Sequence, residues 1–577
     1  MDCFGCRMLV GCALMGTGLF LGSAIGQSAV PQPAADSASS VVKIEVDLRQ
    51  DSGPFAPAYN WFGYDEANYT TAPSGPGLLK ELHDLSPVPV YIRVHHLLTS
   101  GDGKGELKFS STNVYSEDAQ GHPVYDFKLL DGIFDAFKAA GVRPMVELGF
   151  MPKDLAADVP GRTEPYQVHF PKSTVSGKSN NPPKDYDKWR ELVRVVTAHL
   201  VERYGKGEVL GWYFEVWNEP DIDYWHVSPE EYWKLYDYAV AGVRAALPGA
   251  KVGGPASTGP GGEKARLFLQ HFLEHVNTGK SAADGGAVPL DFISFHAKGS
   301  PTIADGRVTM GLNRELNDAD RGFEVVAGFP RFQHLPIILS EADPEGCAAC
   351  SSKMNPANNY RNGTLYPAYT AAAYKGLIEL GNRRAVNLIS MLSWSFEFED
   401  RDYFEGFRDL ATNGVDKPIL NYFRMLGLMA GDQVKATSTG ALPLDTLLHT
   451  GARQIPDVDV FATRAARRAS VMVWNYDDFN VPATPAATTI HVEGIPGEVK
   501  RALVTQYRID DTHSNAYTAW LQMGSPQHPD GPQIAQLKAA GQLQMYGSPA
   551  WVDVRGGAVD LSSEMPRESV ALFELSW

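Results

Sequence analysis

Two carboxylates end two apolar, strand-like segments of this chain. Residues 212–220 read W-Y-F-E-V-W-N-E-P, and the proline cannot continue a strand, so the strand should end at Glu219. Residues 335–343 read L-P-I-I-L-S-E-A-D, which puts Glu341 at the end of a later strand. Barrel enzymes carry their active sites at the carboxyl ends of parallel strands. The alternatives are a helix-capping role for Glu219 and an ordinary strand end at Glu341.

A pair of carboxyl groups at two strand ends is the set of catalytic groups that glycoside hydrolysis needs. One carboxyl group donates a proton to the leaving oxygen, while the other attacks the anomeric carbon or activates water. In enzymes that retain the anomeric configuration, the two groups lie about 5 to 5.5 Å apart, too close to admit an attacking water. We therefore predict this spacing if the pair works by double displacement.

Further polar and aromatic side chains follow the predicted strands. A sugar needs hydrogen bonds to its hydroxyl groups and an aromatic face against its apolar side. Each residue alone could be structural, and a strand-end histidine more often is. The histidines lack chelating spacing, so no metal and no cofactor are predicted. The candidates are His95, Asn218, His296, Lys298, Trp394, Glu397 and Glu399.

The elements that must position these groups alternate between strands and helices. Helical patterns span residues 127–140, 186–204 and 229–246, and helical segments also separate the later strands. Eight such units predict an α/β fold with a (β/α)8 barrel over residues 60–431. The predicted barrel strands span residues 61–65, 88–97, 142–150, 211–219, 251–255, 290–296, 336–341 and 387–396.

The chain changes character at about residue 432. Short alternating strands with few helical patterns predict a β-sandwich over residues 432–577. A strand at residues 41–48, within an N-terminal segment 41–59, is expected to join that sheet. Residues 511–546 form a polar insertion with one predicted helical piece near residues 534–540.

Charge and the N-terminus limit the partners and the compartment. The net charge of −17 argues against binding to nucleic acid or anionic membranes. Residues 1–26 resemble a signal peptide and residues 27–40 a linker, which predicts a secreted or periplasmic protein without stable membrane insertion after cleavage. An uncleaved anchor and a lipoprotein box at residues 9–12 remain alternatives.

Two cysteines lie outside this leader, Cys347 and Cys350, and they follow Glu341 closely. In an oxidising compartment they should form a local disulfide that stiffens the loop. A redox pair or metal ligands are the alternatives, although no second cysteine or histidine pair lies nearby.

Five motifs follow one another in order along the predicted barrel: R-V-H-H (93–96), W-Y-F-E-V-W-N-E-P-D (212–221), G-G-P (253–255), H-A-K-G (296–299) and S-E-A-D-P-E-G (340–346). Together they resemble glycoside hydrolase family 39, which holds bacterial β-xylosidases and α-L-iduronidase. The resemblance implies a retaining enzyme with Glu219 as acid/base and Glu341 as nucleophile, and it makes His95, Asn218, His296 and Lys298 sugar contacts.

Within that family the motifs are most similar to those of bacterial β-xylosidases. Because Lys298 could bind a uronic carboxylate, a uronide remains an alternative substrate. Glu397 and Glu399 would repel a carboxylate and favour a neutral pentose. We therefore expect a secreted exo-acting β-xylosidase whose partner is an oligosaccharide and whose pocket is walled by residues 151–183 and 344–366. The alternatives are an iduronidase-like or arabinoside-cleaving enzyme, and a non-catalytic carbohydrate-binding barrel.

Overall fold

The computed structural model describes residues 41–55, 57–162, 173–304, 307–394 and 396–577. The predicted signal peptide and linker, residues 1–40, lie outside these ranges, as do residues 163–172 of the predicted first wall loop. Within the described residues, no helix has the length and apolar character needed to cross a bilayer.

The elements alternate between strands and helices as far as α9 and are mainly strands after it. The strands are β1 (Val42–Pro54), β2 (Trp61–Tyr64), β3 (Tyr91–Val94), β4 (Tyr115–Glu117), β5 (Pro123–Tyr125), β6 (Arg143–Leu148), β7 (Tyr213–Val216), β8 (Lys251–Ser257), β9 (Phe292–Lys298), β10 (Thr302–Ala304), β11 (Arg307–Thr309), β12 (Pro336–Asp343), β13 (Asn387–Met391), β14 (Ser393–Trp394), β15 (Ala411–Thr412), β16 (Val415–Asp416), β17 (Asp432–Ser438), β18 (Asp457–Ala465), β19 (Arg468–Tyr476), β20 (Ala486–Glu493), β21 (Arg501–Ile509), β22 (Gln544–Met545), β23 (Ala550–Asp553), β24 (Ala558–Met565) and β25 (Ser569–Ser576). The α-helices are α1 (Gly75–Leu85), α2 (Lys128–Ala140), α3 (Tyr186–Tyr204), α4 (Lys206–Val209), α5 (Pro229–Ala246), α6 (Glu263–Thr278), α7 (Leu312–Ala327), α8 (Leu365–Arg384), α9 (Pro418–Leu428), α10 (Leu444–Thr450), α11 (Ala516–Gln522) and α12 (Gly531–Gly541), and 3-10 helices span Ala67–Thr71 and Pro356–Asn362.

The predicted barrel is confirmed as a closed parallel sheet. Its strand order is β13-β12-β9-β8-β7-β6-β3-β2-β14. Only Leu392 separates β13 from β14, so the two are halves of one eighth strand, and the pairing of β14 with β2 closes the barrel. All eight strands therefore direct their carboxyl ends to the same face.

The second barrel strand is shorter than predicted. Residues 88–97 were expected to be extended, whereas β3 covers only Tyr91–Val94. Pro89 lacks the N–H group that a ladder needs, and His96 turns the chain with a φ of 62°. The early turn leaves His95 and His96 in the loop at the barrel mouth.

Local sequence explains where the outer helices begin and end. The carboxylate of Asp185 accepts the backbone N–H groups of Asp187 and Lys188 at the start of α3. Pro229 opens α5, and Gly141 ends α2 with a φ of 82°. The predicted bounds of α3 and α5 are those observed.

Apart from the two-stranded pairs β4-β5, β10-β11 and β15-β16, the remaining strands form a sandwich-like sheet, in which β23 pairs with β21 beside the main order. This sheet confirms the second part of the predicted fold. Its order is β22-β21-β25-β19-β18-β17-β1-β20-β24. The N-terminal strand β1 lies inside this sheet, antiparallel to β17 and parallel to β20. Residues 41–577 form one compact unit, so the predicted domain boundaries stay predictions. Helix α11, within the 511–546 insertion, was not predicted.

Candidate active site

Glu219 lies three residues beyond the end of β7, in a tightly turned segment. Trp217 and Glu219 have φ values of 71° and 46°, a left-handed conformation that non-glycine residues rarely adopt. The Trp217 side chain is buried, and its indole N–H donates to the carbonyl oxygen of Tyr224 at 2.8 Å. The Glu219 N–H donates to the Ala256 carbonyl at 2.8 Å. These contacts fix the turn, and 17% of the Glu219 side chain stays exposed.

Glu341 lies within β12 and is surrounded by positive charge. Lys298 Nζ lies 2.8 Å from one of its carboxylate oxygens, and Arg93 Nη1 lies 3.2 Å from the other. Burial alone would raise the pKa of Glu341, but His296, Lys298, Arg93 and His95 together hold it well below its usual range. Glu341 is therefore ionised at neutral pH, as a nucleophile must be.

The two carboxylates lie close together, with one histidine between them. One oxygen of Glu219 and one of Glu341 lie within 4.8 Å of each other. His296, on β9, approaches Glu219 Oε1 with Nδ1 at 2.9 Å and Glu341 Oε1 with Nε2 at 3.6 Å. This separation fits the spacing of retaining pairs and is shorter than the ~6.5 to 9.5 Å of inverting pairs.

Lys298 is shared between two acidic groups. Besides Glu341, its Nζ contacts Asp343 Oδ2 at 2.6 Å. Asp343 also pairs with the buried Arg408 at 2.6 Å and accepts a hydrogen bond from the backbone N–H of Trp394 at 2.9 Å. The lysine charge is thus already matched by protein carboxylates at the end of β12.

Arg93 links several barrel strands beneath Glu219 and Glu341. This role was not predicted, although the sequence analysis identified the R-V-H-H motif that contains Arg93. The guanidinium is fully buried and pairs with Glu215 at 2.5 Å and with Glu147 at 3.0 Å. It also donates to Asn218 Oδ1 at 2.9 Å. Because Arg93 occupies that oxygen, the amide NH2 of Asn218 is left to donate elsewhere.

His95 is enclosed by protein groups on both sides. Its Nδ1 lies 2.7 Å from Asp65 and its Nε2 lies 2.9 Å from Glu147. Burial disfavours the charged ring, but these two carboxylates outweigh it and raise the pKa of His95 to about 9. The ring also packs against Trp394, with centroids 4.2 Å apart. Lys108, which was not predicted, completes this group at 2.9 Å from Asp65.

The other predicted sugar contacts lie in different surroundings. Trp394 is 1% exposed, and its indole N–H donates to Asp65 at 3.2 Å, so it forms part of the support of His95. Glu397 accepts the Gly414 N–H at 2.5 Å, and burial raises its pKa to about 8. Glu399 accepts the Ser74 N–H at 2.8 Å. Sugar contact by these three side chains stays a prediction.

The predicted disulfide is present between Cys347 and Cys350. The buried Arg361 donates to the carbonyl oxygens of Cys347 at 2.9 Å and Cys350 at 2.8 Å. Arg361 also pairs with Glu345 at 2.7 Å, and Glu345 lies 3.2 Å from Arg408. The loop after β12 is therefore fixed by a covalent bond and by ion pairs.

Among the residues that the structure describes, two clusters have enough acidic and imidazole groups to hold a metal ion. One is Asp65, His95 and His96, and the other is Glu219, His296 and Glu341. In both, protein cations already neutralise the carboxylates: Lys108 at Asp65, and Lys298 and Arg93 at Glu341. These charges would repel a metal cation.

Comparison with known proteins assigns the family. The chain is 29% identical to a β-xylosidase of Geobacillus stearothermophilus over 84% of this chain and 86% of the relative. It is 24% identical to the α-L-iduronidase of Mus musculus over 72% of this chain and 63% of the relative. A crystal structure of a monomeric β-xylosidase from Caulobacter crescentus CB15 has the same fold, with a TM-score of 0.70 and 24% identity over 92% of this chain and 99% of that one.

The model of glycosyl hydrolases family 39 matches residues 90–553, a segment that contains both carboxylates and the strands β7 and β12 that carry them. The chain belongs to this family and is an O-glycosyl hydrolase.

Proposed function

We propose that the protein is a secreted, retaining exo-β-xylosidase that removes terminal xylosyl residues from xylo-oligosaccharides. The observation that carries the proposal is the approach of Glu219 and Glu341 to within 4.8 Å, at the carboxyl ends of β7 and β12. That spacing leaves no room for a water between them and suits attack by a carboxylate.

In the first step, Glu341 attacks the anomeric carbon while Glu219 gives its proton to the departing oxygen. The cations around Glu341 keep it ionised, and the fixed turn at Trp217 holds Glu219 toward it. The Asn218 amide, oriented by Arg93, can donate to a sugar hydroxyl beside the reacting centre.

In the second step, Glu219 acts as base and takes a proton from the water that cleaves the glycosyl-enzyme bond. His296 contacts both carboxylates and so fixes the position of Glu219 relative to Glu341 during both steps. No step needs a metal ion or an organic cofactor.

Exo action is supported by the loops beside Glu219. The side-chain amide of Asn180, after β6, donates to the Asp223 carbonyl at 2.9 Å, and the N–H of His226 donates to the Asn180 carbonyl at 3.1 Å. These bonds join the loop after β6 to the loop after β7, which carries Glu219. A site bordered by joined loops suits a chain end better than the middle of a polymer.

The preference for a neutral pentose is supported by the charges at Lys298. This lysine is shared by Glu341 and Asp343, so no unmatched positive charge awaits a substrate carboxylate there. The β-xylosidase of Geobacillus stearothermophilus is also more similar to this chain, at 29% identity, than the mouse α-L-iduronidase is, at 24%.

An iduronidase-like activity is the second candidate, and the lysine at residue 298 is the observation that favours it. Binding of a uronate would require Lys298 to exchange a protein carboxylate for that of the substrate.

A panel of nitrophenyl glycosides separates these candidates. We expect β-xyloside to be cleaved with the highest kcat/KM, ahead of arabinosides and α-L-iduronide. A higher kcat/KM for iduronide would replace the proposal with its alternative. Xylohexaose should release xylose first, and larger fragments as main early products would contradict exo action. Export can be tested by N-terminal sequencing of the protein from culture medium or periplasm, where we expect cleavage near residue 26.

A further inference from the structure

A second cleft, of ≈ 320 Å³, lies between the barrel and the sandwich. It is lined by the β10–β11 hairpin, by the 3-10 helix Pro356–Asn362, by α11 and by the turn before β25. We propose that this cleft is a second, non-catalytic binding site for a neutral saccharide. The choice of a xylo-oligosaccharide as its ligand rests on the proposed function, whereas the cleft and its chemistry do not.

The strongest observation is the carboxyl group of Glu568. This residue lines the cleft in the turn between β24 and β25, and its Oε1 is buried without a hydrogen-bond partner among the described residues. Its backbone is fixed, with a φ of 60° and an N–H that donates to the Asn475 carbonyl at 2.8 Å. A buried acceptor without a partner is unfavourable. Because the Glu568 side chain lines the cleft, a rotation of its carboxyl group would bring this oxygen to a ligand hydroxyl that satisfies it.

The ionisation of Glu568 also suits hydroxyl groups. Burial, with help from the negative charges of Asp511 and Asp477, raises its pKa to about 8, against the opposing effect of Arg567. Near neutral pH the group is therefore largely protonated, and it can both donate to and accept from a sugar hydroxyl.

An aromatic ring lies in the same cleft and is held rigidly. Tyr517 of α11 stacks on Trp520 with centroids 5.9 Å apart and contacts Phe404 at 5.4 Å. Its hydroxyl group accepts a hydrogen bond from the Asn359 side chain at 3.0 Å. A fixed ring beside amide and carboxyl groups is the combination that pyranose recognition needs.

The charge of the lining selects a neutral sugar. Asp511 and Glu568 are acidic residues, and none of the described residues that line the cleft is lysine, arginine or histidine. A uronate or sulfate group would find no cation there. The two acidic clusters that could hold a metal ion in the described part of the chain both lie at the barrel mouth, so a cation is not the expected ligand.

The position of the cleft explains its use. The β10–β11 hairpin follows the strand of Lys298, and the 3-10 helix follows the strand of Glu341. The cleft is thus built by loops at the carboxyl-end face of the barrel, where the candidate active site also lies. A polymer held in the cleft would raise the local concentration of chain ends near that site.

The test is calorimetric titration with xylohexaose and cellohexaose, in a Glu341→Gln background so that neither ligand is consumed. We expect two binding events per chain, of which one weakens at least tenfold on Glu568→Leu or Tyr517→Ala. The control Glu564→Leu changes an exposed carboxylate of the same sheet and should retain both events. Thermal unfolding confirms that each variant is folded.

A single binding event, or two events that neither variant alters, would overturn the proposal. With Glu341 intact, Glu568→Leu should leave kcat/KM for nitrophenyl xyloside unchanged and lower the rate on long xylan. If the aryl xyloside is not cleaved but the second event persists, the proposed function fails and the cleft stands. If the xyloside is cleaved and neither hexasaccharide binds in the cleft, the cleft fails and the function stands.

Discussion

The chemistry of individual residues here depends on charge balance. Glu341 would be a poor nucleophile if burial alone set its pKa, and the surrounding cations reverse that effect. The identities of Glu219 and Glu341 could be predicted because apolar runs ending in acid are local patterns. Arg93, Asp65 and Lys108 could not be assigned, because their roles arise only when separate strands and loops bring them together.

Lys298 should determine the pH below which activity is lost. In Lys298→Met one cation beside Glu341 is lost, so the pKa of Glu341 should rise, by about 1 to 3 pH units. The acid limb of kcat/KM for an aryl glycoside with a good leaving group should then move to higher pH, whereas wild type stays active below about pH 4. The control Lys104→Met alters an exposed lysine. An unchanged acid limb in Lys298→Met would contradict this role.

The loss of rate on replacing Glu219 should depend on how strongly the leaving group needs a proton. In Glu219→Ala, substrates whose leaving groups need no proton should keep most of their glycosylation rate, while xylobiose hydrolysis should fall about 10²- to 10⁴-fold. Added azide should restore turnover of the activated substrate with a product of retained configuration. Equal losses on both substrates would show that Glu219 is not the acid.

At the scale of elements, the loop after β12 keeps its shape through several independent contacts. The disulfide closes a very short loop, and the buried Arg361 binds both of its ends. The sequence predicts the disulfide from the spacing of two cysteines. It does not predict the arginine contacts, because Arg361 lies eleven residues beyond Cys350 and its partners are backbone carbonyls.

We expect the ion pairs of this loop to contribute more stability than its disulfide. Cys347→Ser/Cys350→Ser should cost less than the ~3 kcal/mol that a 15-residue loop would give. Arg361→Met leaves Glu345 and four backbone carbonyl groups without this partner and should cost about 3 to 5 kcal/mol. Arg555→Met, at a side chain that is 88% exposed, should change the free energy of unfolding by about 0.5 kcal/mol or less. Urea titrations give all three values, and a larger loss in the serine variant would reverse this order.

At the scale of the whole molecule, strand β1 joins the segment before the barrel to the sheet that follows the barrel. Strand β1 lies between β17 and β20, so the sandwich is incomplete without residues that precede the barrel. The barrel and the sandwich could both be predicted, because eight alternating units and a strand-rich C-terminal region are strong periodic signals. Helix α11 could not, since its seven residues lie in a polar segment.

The side chains on the buried face of β1 should therefore contribute to the free energy of unfolding. Ile44 is fully buried, and Ile44→Ala should lower the free energy of unfolding by about 2 to 5 kcal/mol. The adjacent Glu45 is exposed, and Glu45→Ala should change it by about 0.5 kcal/mol or less. Equal effects in chemical denaturation would mean that β1 does not pack as described.

The central claim is that Glu341 forms a covalent bond with the sugar while Glu219 serves as acid and base. The most direct measurement is to inactivate the enzyme with an activated 2-deoxy-2-fluoro-β-xyloside and to map the label by mass spectrometry of the digested protein. We expect one fluoroxylosyl group per chain, attached to Glu341. A label on any other residue, or turnover without an adduct and with an inverted product, would contradict the account.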